Sequence, residues 1–333
     1  MIITRTPFRV SLFGGGSDYP AWYRKHGGAV VGFAINKYCY ISLRRLPPFF
    51  EHKHRIIYSV IENVRRIEDI QHPSVRAVLS ECGITEGLEI HHDGDLPARS
   101  GLGSSSAFTV GLLKAIYAYR GRMLSHQQLA HEAIRIEQEV VGEAVGSQDQ
   151  TWAAFGGFNR IRFGRHDEIG VDPVIVPKAR KAELLSRLLL CFTNVRRVAA
   201  TIAQEQIDNL PRSERQITRM TGMVDEALAI IGGSGPIDDL GDLLHESWML
   251  KRSLAGSVSP PFVDEIYRRA RDAGARGGKL LGAGGGGFML LFVEPERRPA
   301  VEQALEGFIK VDFDIDYHGS TVVVYDPDDQ VSF

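Results

Sequence analysis

Runs and alternations of apolar residues divide the first half of the chain into short regular elements. Alternating or continuous apolar and β-branched residues predict strands at 2–13, 29–44, 56–60 and 86–92. Apolar residues at helical spacing predict helices at 73–82, at 107–121 and from Ser125 to about Val141. A turn-rich segment, FGGGSDYPAW, separates the first two strands, and the loop GEAVGSQDQ precedes a short apolar helix that ends at Gly156.

The second half of the chain has a less regular alternation of elements. Its pattern predicts strands at 187–193, 279–282, 288–293, 311–317 and 321–325. It predicts helices at 195–209, 213–231, 237–255, 261–274 and 296–309. Because strands and helices do not alternate as a doubly wound parallel sheet requires, the fold class is predicted to be α+β. The polar, proline-interrupted segment 164–181 predicts a domain boundary and a division into residues 1–175 and 176–333.

Composition narrows the class of protein. The chain has 333 residues, of which 44% are hydrophobic and 24% charged, with a net charge of −2. This profile is typical of a soluble globular protein, and the length favours two lobes over one core. The near-neutral balance of charge gives no reason to expect nucleic acid as a partner.

Cysteine spacing and the absence of long apolar runs agree about the compartment. Three widely spaced cysteines indicate neither a disulfide framework nor a zinc site. No apolar run is long enough for a signal peptide or a membrane span. We therefore expect a cytoplasmic protein with no membrane partner.

Candidate chemistry begins with PARSGLGSSSA, residues 97–107, which combines glycines with three serines just before a predicted helix. Glycines let the backbone approach a phosphate closely, and a helix N-terminus offers unpaired N–H groups and partial positive charge. The motif is therefore typical of a nucleoside triphosphate site, although the lysine of a Walker A loop is missing. The alternative interpretation is that Ser104–Ser106 only cap the helix.

A second glycine motif, GAGGGG, occupies residues 282–287. Gly282, Gly284 and Gly287 formally match the dinucleotide-binding pattern, but that pattern needs a helix directly after it. Here the strand-like sequence FMLLFVE follows, which excludes a Rossmann site. Because so many glycines cost much chain entropy in a plain loop, we favour close packing of this backbone against a ligand.

A third motif, PFRVSLFGGGSDY, spans residues 7–19. It places Arg9 on a strand, a glycine turn after it, and Asp18 just beyond the turn. These residue types suit a hydroxylated, anionic ligand. Asp18 could alternatively cap the next helix.

In this order, PFRVSLFGGGSDY, PARSGLGSSSA and KLLGAGGGGF resemble the motifs of the GHMP kinases, the family of galacto-, homoserine, mevalonate and phosphomevalonate kinases. The resemblance covers nearly the whole chain. It implies an N-terminal domain like the second domain of ribosomal protein S5 and a ferredoxin-like C-terminal domain. ATP and the acceptor would bind in the cleft between these domains.

The resemblance also implies which residues hold the nucleotide and its metal ion. The ATP-binding set would be Gly101, Leu102, Gly103, Ser104, Ser105 and Ser106. Of these, Ser105 is predicted to bind Mg²⁺ and Ser104 to contact phosphate. In IEQEVVGEAVGSQD, residues 136–149, counting back from Gly142 selects Glu137 as the second Mg²⁺ ligand. Glu139 stays a weaker candidate because this loop is one residue longer than in mevalonate kinases.

Catalytic and acceptor residues follow from the same motif positions. Asp149 matches the catalytic base of the family, although it could alternatively N-cap the next helix. Arg9 stands where relatives carry a Lys or Arg that polarises the acceptor hydroxyl. Asp18 matches the sugar-binding aspartate of galactokinases. The implied acceptor-binding set is Gly15, Gly16, Ser17, Asp18, Thr193, Arg197, Gly284, Gly285 and Gly286.

The first motif also bears on the acceptor. Galactokinases have Gly-Glu-His-Thr-Asp-Tyr where this chain has GGGSDY, and the loss of the Glu-His pair argues against galactose. FGGGSDYPAW, HGGAVVGFAINKY and EVVGEAVGSQDQ are similar to family members that phosphorylate the anomeric hydroxyl of D-glycero-D-manno-heptose 7-phosphate or fucose. We expect the heptose phosphate, because 333 residues leave no room for the extra domain of bifunctional fucose enzymes. Arg197 in TNVRR matches the residue expected to hold the distal phosphate.

Three alternatives stay open at this point. The first is a kinase for another sugar, such as fucose, and the second is a non-catalytic sensor of sugar and ATP. Retention of Asp149 and Glu137 argues against a sensor. The third, a decarboxylase of the mevalonate branch, would have no use for the sugar-type first motif. The implied partners are ATP and a sugar phosphate, and the oligomeric state is open, with a homodimer among the expectations.

Overall fold

The computed structural model of the protein describes residues 1–195 and 199–326. In that part of the chain the strands are β1 (Ile2–Phe13), β2 (Gly28–Arg45), β3 (His54–Ile57), β4 (Ile61–Val64), β5 (Leu88–Gly94), β6 (Phe158–Phe163), β7 (Ile169–Pro173), β8 (Leu188–Phe192), β9 (Gly277–Leu280), β10 (Phe288–Phe292), β11 (Ile309–Val311) and β12 (Thr321–Tyr325). The α-helices are α1 (Pro20–His26), α2 (Pro73–Glu81), α3 (Ser104–Tyr119), α4 (His126–Arg135), α5 (Gln148–Phe155), α6 (Lys178–Ser186), α7 (Ala199–Asn209), α8 (Glu214–Gly232), α9 (Asp239–Arg252), α10 (Pro261–Asp272) and α11 (Arg298–Ala304).

The first sheet is built on the long antiparallel pair of β1 and β2. Its strand order is β12-β1-β2-β5-β3-β4, and the hairpin of β6 and β7 joins it through β2. β2 is long enough to pair with both β5 and β6. Residues 28–33 of β2 pair with β6, and residues 39–45 pair with β5. Pro7 lies at a register shift between β1 and β2, which suits a residue that has no N–H to donate. Helices α3 and α5 pack against β1 and β2 and cover the sheet.

The second sheet is wholly antiparallel, with strand order β11-β8-β10-β9. Helices α7 to α10 connect β8 to β9, and α11 connects β10 to β11. If the four strands are numbered 1 to 4 along the chain, their order across the sheet is 4-1-3-2, which is the ferredoxin-like arrangement. All five residues of β8 and of β10 are buried, in keeping with their continuous apolar sequences. The predicted α+β fold class is confirmed.

The two sheets share one hydrophobic core, which extends from Val10 in β1 to Leu290 in β10. Helix α8 also packs against β1 and β2. The chain returns to the first sheet at its end, where Ile2 of β1 pairs with Tyr325 of β12. The division at residue 175 stays a prediction, with β12 belonging to the sheet of the first part.

Within residues 1–195 and 199–326, no helix combines the length and apolar character needed to cross a bilayer.

Candidate active site

Residues 97–106, which we call the serine loop, follow β5, run into the start of α3 and leave the first turn of that helix without a side-chain cap. Gly101 and Gly103 have φ angles of +85° and +74°, in the left-handed region that glycine adopts without steric strain. Gly103 is the N-cap residue of α3, so no side chain caps the helix from that position. Ser104 Oγ instead accepts a hydrogen bond from Arg99 N at 3.1 Å. The helix-cap interpretation of the serines is therefore wrong, and the first turn of α3 has no side-chain cap.

The second glycine motif packs directly on the serine loop. A Cβ at Gly282 would lie 2.7 Å from Gly101 Cα, and one at Gly287 would lie 2.2 Å from Ser100 O. Phe288 N also donates to Ser100 O at 2.9 Å. For these two glycines the close approach is to the backbone of the chain itself, not to a ligand. The motif therefore holds the serine loop in place.

Gly287→Ala is expected to destabilise the fold by about 3 kcal/mol, because a Cβ would meet backbone at a positive φ. The free energy of unfolding in urea and the KM for ATP both measure the change, since the displaced neighbour is the serine loop. Gly222→Ala in α8 is the matched control: a Cβ there meets nothing within 4 Å, and alanine is the better helix former. Equal stability of the two variants would contradict the close packing.

The remaining glycines of this motif face two valines. A Cβ at Gly284 would lie 2.7 Å from Val258 Cα, and Gly285 N donates to Val258 O at 2.7 Å. A Cβ at Gly286 would lie 3.0 Å from a Val195 methyl carbon. Their predicted contacts with the acceptor stay predictions.

Thr193 closes the other end of the motif. Its Oγ1 donates to Gly287 O at 2.8 Å and lies 3.1 Å from Gly287 N, so its hydroxyl is already engaged. Its predicted contact with the acceptor also stays a prediction. Arg197, the predicted phosphate ligand, lies outside the described residues.

The two predicted catalytic side chains meet beside the serine loop. Arg9 Nε donates to Asp149 Oδ1 at 2.7 Å, and Arg9 Nη2 donates to Oδ2 at 2.8 Å. Arg9 Nη1 donates to Gly101 O at 2.6 Å, which ties the pair to the loop. Arg9 is 3% exposed, whereas the Asp149 side chain is 25% exposed and accessible to a small molecule. A planar, two-bond contact of this kind fixes the orientation of the carboxylate.

Three consecutive residues in the first turn of α5 contact three different site residues. Gln148 Nε2 donates to Asp18 Oδ2 at 2.8 Å, and Gln150 Nε2 donates to Glu137 Oε2 at 2.5 Å. Asp149, between them, holds Arg9. Because successive residues of an α-helix point about 100° apart, one turn can reach three directions. The start of α5 therefore sets the spacing of the predicted acceptor, catalytic and metal positions.

Asp18 lies at the end of the first glycine turn and is buried. Its Oδ1 accepts from Gly16 N at 2.9 Å, and Gln148 occupies its Oδ2. Burial, and after it the nearby Asp149 carboxylate, raise the pKa of Asp18. Asp18 does not cap α1, because Tyr19 is the N-cap residue of that helix.

The other predicted residues of this turn are placed close to Asp18. Ser17 Oγ donates to Gly14 O at 2.7 Å and to Ala29 O at 2.9 Å, so this hydroxyl connects the turn to β2. A Cβ at Gly15 would lie 3.9 Å from Gln148 Nε2, which brings this glycine next to the Asp18 contact.

Glu137 lies in a π-helical turn, Ile136–Val140, that continues α4. π-turns are rare and frequently occur at functional sites. The side chain is 1% exposed, and burial raises the pKa of Glu137 to about 7. Its Oε2 accepts from Ser106 Oγ at 2.9 Å as well as from Gln150, whereas its Oε1 is buried with no partner in the described residues. An unpartnered buried carboxylate oxygen beside a serine hydroxyl fits a hard cation such as Mg²⁺.

The serine that contacts Glu137 is Ser106, which lies one position after the predicted ligand. Ser105 is exposed at the start of α3, and its carbonyl oxygen accepts from Thr109 Oγ1. Glu139, the weaker metal candidate, is exposed. Sequence reasoning placed Ser106 in the ATP-binding set but did not pair it with Glu137. It did not single out Gln148 or Gln150 as site residues, although the two glutamines flank Asp149 in SQDQ.

Comparison with known proteins decides the family. The GHMP kinases N terminal domain matches residues 64–157, and the GHMP kinases C terminal family matches residues 225–310. The D-glycero-alpha-D-manno-heptose 7-phosphate kinase of Campylobacter jejuni is 30% identical over 323 residues, which are 93% of this chain and 95% of the relative. The chain belongs to the GHMP kinases. The predicted two-domain fold of this family and the assignment as a phosphotransferase are confirmed.

Other GHMP kinases agree on the branch of the family. The structure of a D-glycero-D-manno-heptose 1-phosphate kinase from Bacteroides thetaiotaomicron matches with a TM-score of 0.73 at 25% identity, over 97% of this chain and 98% of that chain. The bifunctional fucokinase/GDP-fucose pyrophosphorylase of Arabidopsis thaliana is 28% identical over 92% of this chain, which spans only 31% of that relative. The chain is a sugar kinase of the GHMP family.

Proposed function

We propose that this GHMP kinase uses ATP to phosphorylate O1, the anomeric hydroxyl, of D-glycero-D-manno-heptose 7-phosphate. The product would be the 1,7-bisphosphate, which would feed the synthesis of nucleotide-activated heptose for surface polysaccharide in the cytoplasm. The observation that carries the proposal is the two-bond contact between Arg9 and Asp149 beside the serine loop. Similarity to a heptose 7-phosphate kinase over 93% of the chain supports this choice of sugar.

The Arg9–Asp149 pair can carry out the proton chemistry of such a transfer. Each carboxylate oxygen that accepts from Arg9 keeps a further acceptor site, so Asp149 can take the proton of the sugar hydroxyl. The Arg9 guanidinium stabilises the negative charge that develops on the attacking oxygen. Phosphoryl transfer needs little else from a protein than positioning and charge stabilisation.

The serine loop and Glu137 would serve the nucleotide. Gly101 to Ser106 would hold the phosphates with the first-turn N–H groups of α3, which lie beside Arg9 through its contact with Gly101 O. Glu137 would hold Mg²⁺ through the unpartnered Oε1, together with Ser105 or its neighbour Ser106. Mg²⁺, when bound, neutralises charge on the phosphate oxygens.

The acceptor would lie against the first glycine turn. Asp18, held by Gly16 N and Gln148, can accept hydrogen bonds from the ring hydroxyls, and Asp149 is near enough to raise its pKa. The exposed edge of Asp149 then faces the reacting hydroxyl. Gly15, Ser17, Thr193, Arg197 and the 284–286 backbone complete the proposed acceptor site.

A kinase for fucose is the second candidate, because the matched part of the Arabidopsis enzyme includes nearly the whole of this chain. A sensor without activity is disfavoured by the complete Arg9–Asp149 contact and the unpartnered Glu137 oxygen. A sensor needs neither a base nor a metal ligand.

One assay separates these functions. ATP consumption would be followed with heptose 7-phosphate, heptose 1-phosphate, unphosphorylated heptose, fucose, mannose and mevalonate at equal concentrations. We expect the highest kcat/KM for the 7-phosphate, with a new anomeric phosphate signal in the phosphorus NMR spectrum of the product. A higher kcat/KM for fucose or for the 1-phosphate would overturn this choice of acceptor, and binding of sugar without ATP consumption would indicate a sensor.

Glu137→Gln is expected to weaken the use of Mg²⁺, so that activity is low at limiting Mg²⁺ and recovers partly as Mg²⁺ is raised. The reason is that the amide keeps one oxygen but loses the negative charge that attracts the cation. Glu139→Gln is the matched control, since this exposed side chain lies two residues away and should change little. Titration of the rate with Mg²⁺ measures both, and the opposite ranking would identify Glu139 as the ligand.

A further inference from the structure

Lys279 is a buried lysine that the proton chemistry above does not use. It lies in β9, immediately before the second glycine motif, and is 3% exposed. Its Nζ donates to Leu12 O of β1 at 2.9 Å. Leu12 lies three residues after Arg9 and two before the glycine turn that carries Asp18. The Lys279 side chain thus reaches from the second sheet to β1, next to the glycine turn of the proposed acceptor site.

The ammonium group of Lys279 has more hydrogen-bond donors than the described residues use. It has three donors, and in the described part of the chain its one hydrogen bond is to Leu12 O, with no ion pair. Its electrostatic neighbours are Arg9, which repels it, and Asp18, which attracts it. Burial first, and then Arg9, lower the pKa of Lys279 to about 7.

Asp18 is a buried carboxylate whose hydrogen-bond donors are both uncharged. Its hydrogen-bond donors are the neutral Gly16 N–H and the Gln148 amide, and no ion pair joins it to a cation among the described residues. Asp149, the nearby acid, has its own cation in Arg9. These four groups are two carboxylates and two cations, and the only ion pair among them is that of Arg9 with Asp149. Lys279 is the cation of the four that has no carboxylate in contact in the described part of the chain, and Asp18 attracts it.

We propose that Lys279 is a positioning residue for the sugar acceptor. Through Leu12 it fixes the start of the turn that carries Asp18, and its charge keeps the Asp18 carboxylate ionised so that it can accept hydrogen bonds from sugar hydroxyls. This inference rests on the proposed function, because it assigns the acceptor to the Asp18 side of the site. It identifies β9 as a contributor to acceptor binding as well as a support for the serine loop.

A purely structural role does not explain a lysine at this position. A buried ammonium with one hydrogen bond costs stability, and an apolar side chain of similar length would fill the same space. The penalty is present in full below about pH 7 and falls as the pH rises towards the pKa of an unfolded lysine, because the folded state then no longer holds the charge. Residues that lower stability and line a site are typical of function.

The test compares Lys279→Met and Lys279→Arg with wild type, and uses Lys310→Met in β11 as a control on the opposite edge of the same sheet. Steady-state kinetics give the KM for the sugar and for ATP, and calorimetry gives sugar binding without ATP. We expect Lys279→Met to raise the sugar KM and the sugar Kd about tenfold, with the KM for ATP nearly unchanged. Lys279→Arg, which keeps the charge, should recover much of the affinity, and Lys310→Met should match wild type.

Two further measurements separate positioning from structural support. The Tm of Lys279→Met should equal or exceed that of wild type at pH 6–7, and this advantage should shrink by pH 9. The wild-type sugar KM should rise as the pH passes about 7 and Lys279 loses its proton, whereas that of Lys279→Met should be flat over this step. The charged groups that face Lys279 here are Arg9 from β1 and Asp18, with Asp149 of α5 acting on Asp18.

The results that would contradict the role of Lys279 differ from those that would contradict the proposed acceptor. A lowered Tm with an unchanged sugar KM would make Lys279 a structural residue, and equal rises in both KM values would assign it to the serine loop. Failure of wild type to use heptose 7-phosphate would instead overturn the proposed acceptor. The Lys279 variants would then be assayed with the sugar that wild type does phosphorylate, where the same KM split tests this inference by itself.

Discussion

Asp149→Asn is expected to lower kcat by about 10²–10⁴, the usual effect of removing a general base. The amide has nearly the same shape, so the start of α5 should stay intact. However, its nitrogen cannot accept a hydrogen bond from Arg9, and the amide cannot take the proton of the acceptor hydroxyl. The KM for ATP should change little, since the serine loop binds the nucleotide without this side chain.

A matched control exists on the surface. Asp172 makes the same kind of two-bond contact with Arg162, at 2.6 and 3.1 Å, on the exposed β6–β7 hairpin. Asp172→Asn should therefore leave kcat and both KM values unchanged. Near wild-type turnover in Asp149→Asn would remove this residue from the mechanism.

The three glycine motifs could be located from the sequence because each needs a backbone conformation that other residues rarely adopt. The partner of each motif could not be predicted in the same way. The second motif indicates close backbone packing, but the sequence alone does not distinguish a ligand from a neighbouring loop. In the structure, Gly282 and Gly287 pack against Ser100 and Gly101, because β9 and β10 bring the motif to the serine loop.

The sequence by itself does not predict the contacts in the site between residues that are far apart in the chain. Arg9 and Asp149 are 140 residues apart, and only resemblance to a family suggested that they share a site. Lys279 and Asp18 belong to different motifs, and what brings them near each other is the hydrogen bond from Lys279 Nζ to Leu12 O, just before the turn that carries Asp18. The pairing of Glu137 with Ser106 similarly depends on the π-turn after α4, which periodicity does not indicate.

Short and edge elements account for the differences in secondary structure. No strand or helix is predicted in segment 164–181, whereas the structure has β7 and the start of α6 there. Within the part of the chain that the structure describes, β7 pairs only with β6. Its residues are partly or fully exposed, so it has no alternation of buried and exposed positions. Helix α1, at seven residues, is too short for helical periodicity to stand out against the glycine turn before it.

Arg9→Met is expected to lower kcat by about 10²–10³, the scale on which removal of one charge-stabilising donor acts. Methionine approximates the length of the side chain but supplies none of the three N–H groups that contact Asp149 and Gly101. Two effects then combine: the developing negative charge loses its cation, and the carboxylate of Asp149 loses its fixed orientation. Steady-state kcat with saturating sugar and ATP measures the loss, and the Tm reports whether the fold is retained.

The double variant Arg9→Met with Asp149→Asn tests whether the two residues act as one unit. Arg9 orients the base that Asp149 provides, so once either side chain is gone the other has little left to contribute. We therefore expect the double variant to retain about the activity of the more damaged single variant. If the two losses multiply instead, Arg9 and Asp149 act independently, and their contact in the structure serves the fold and not the transfer.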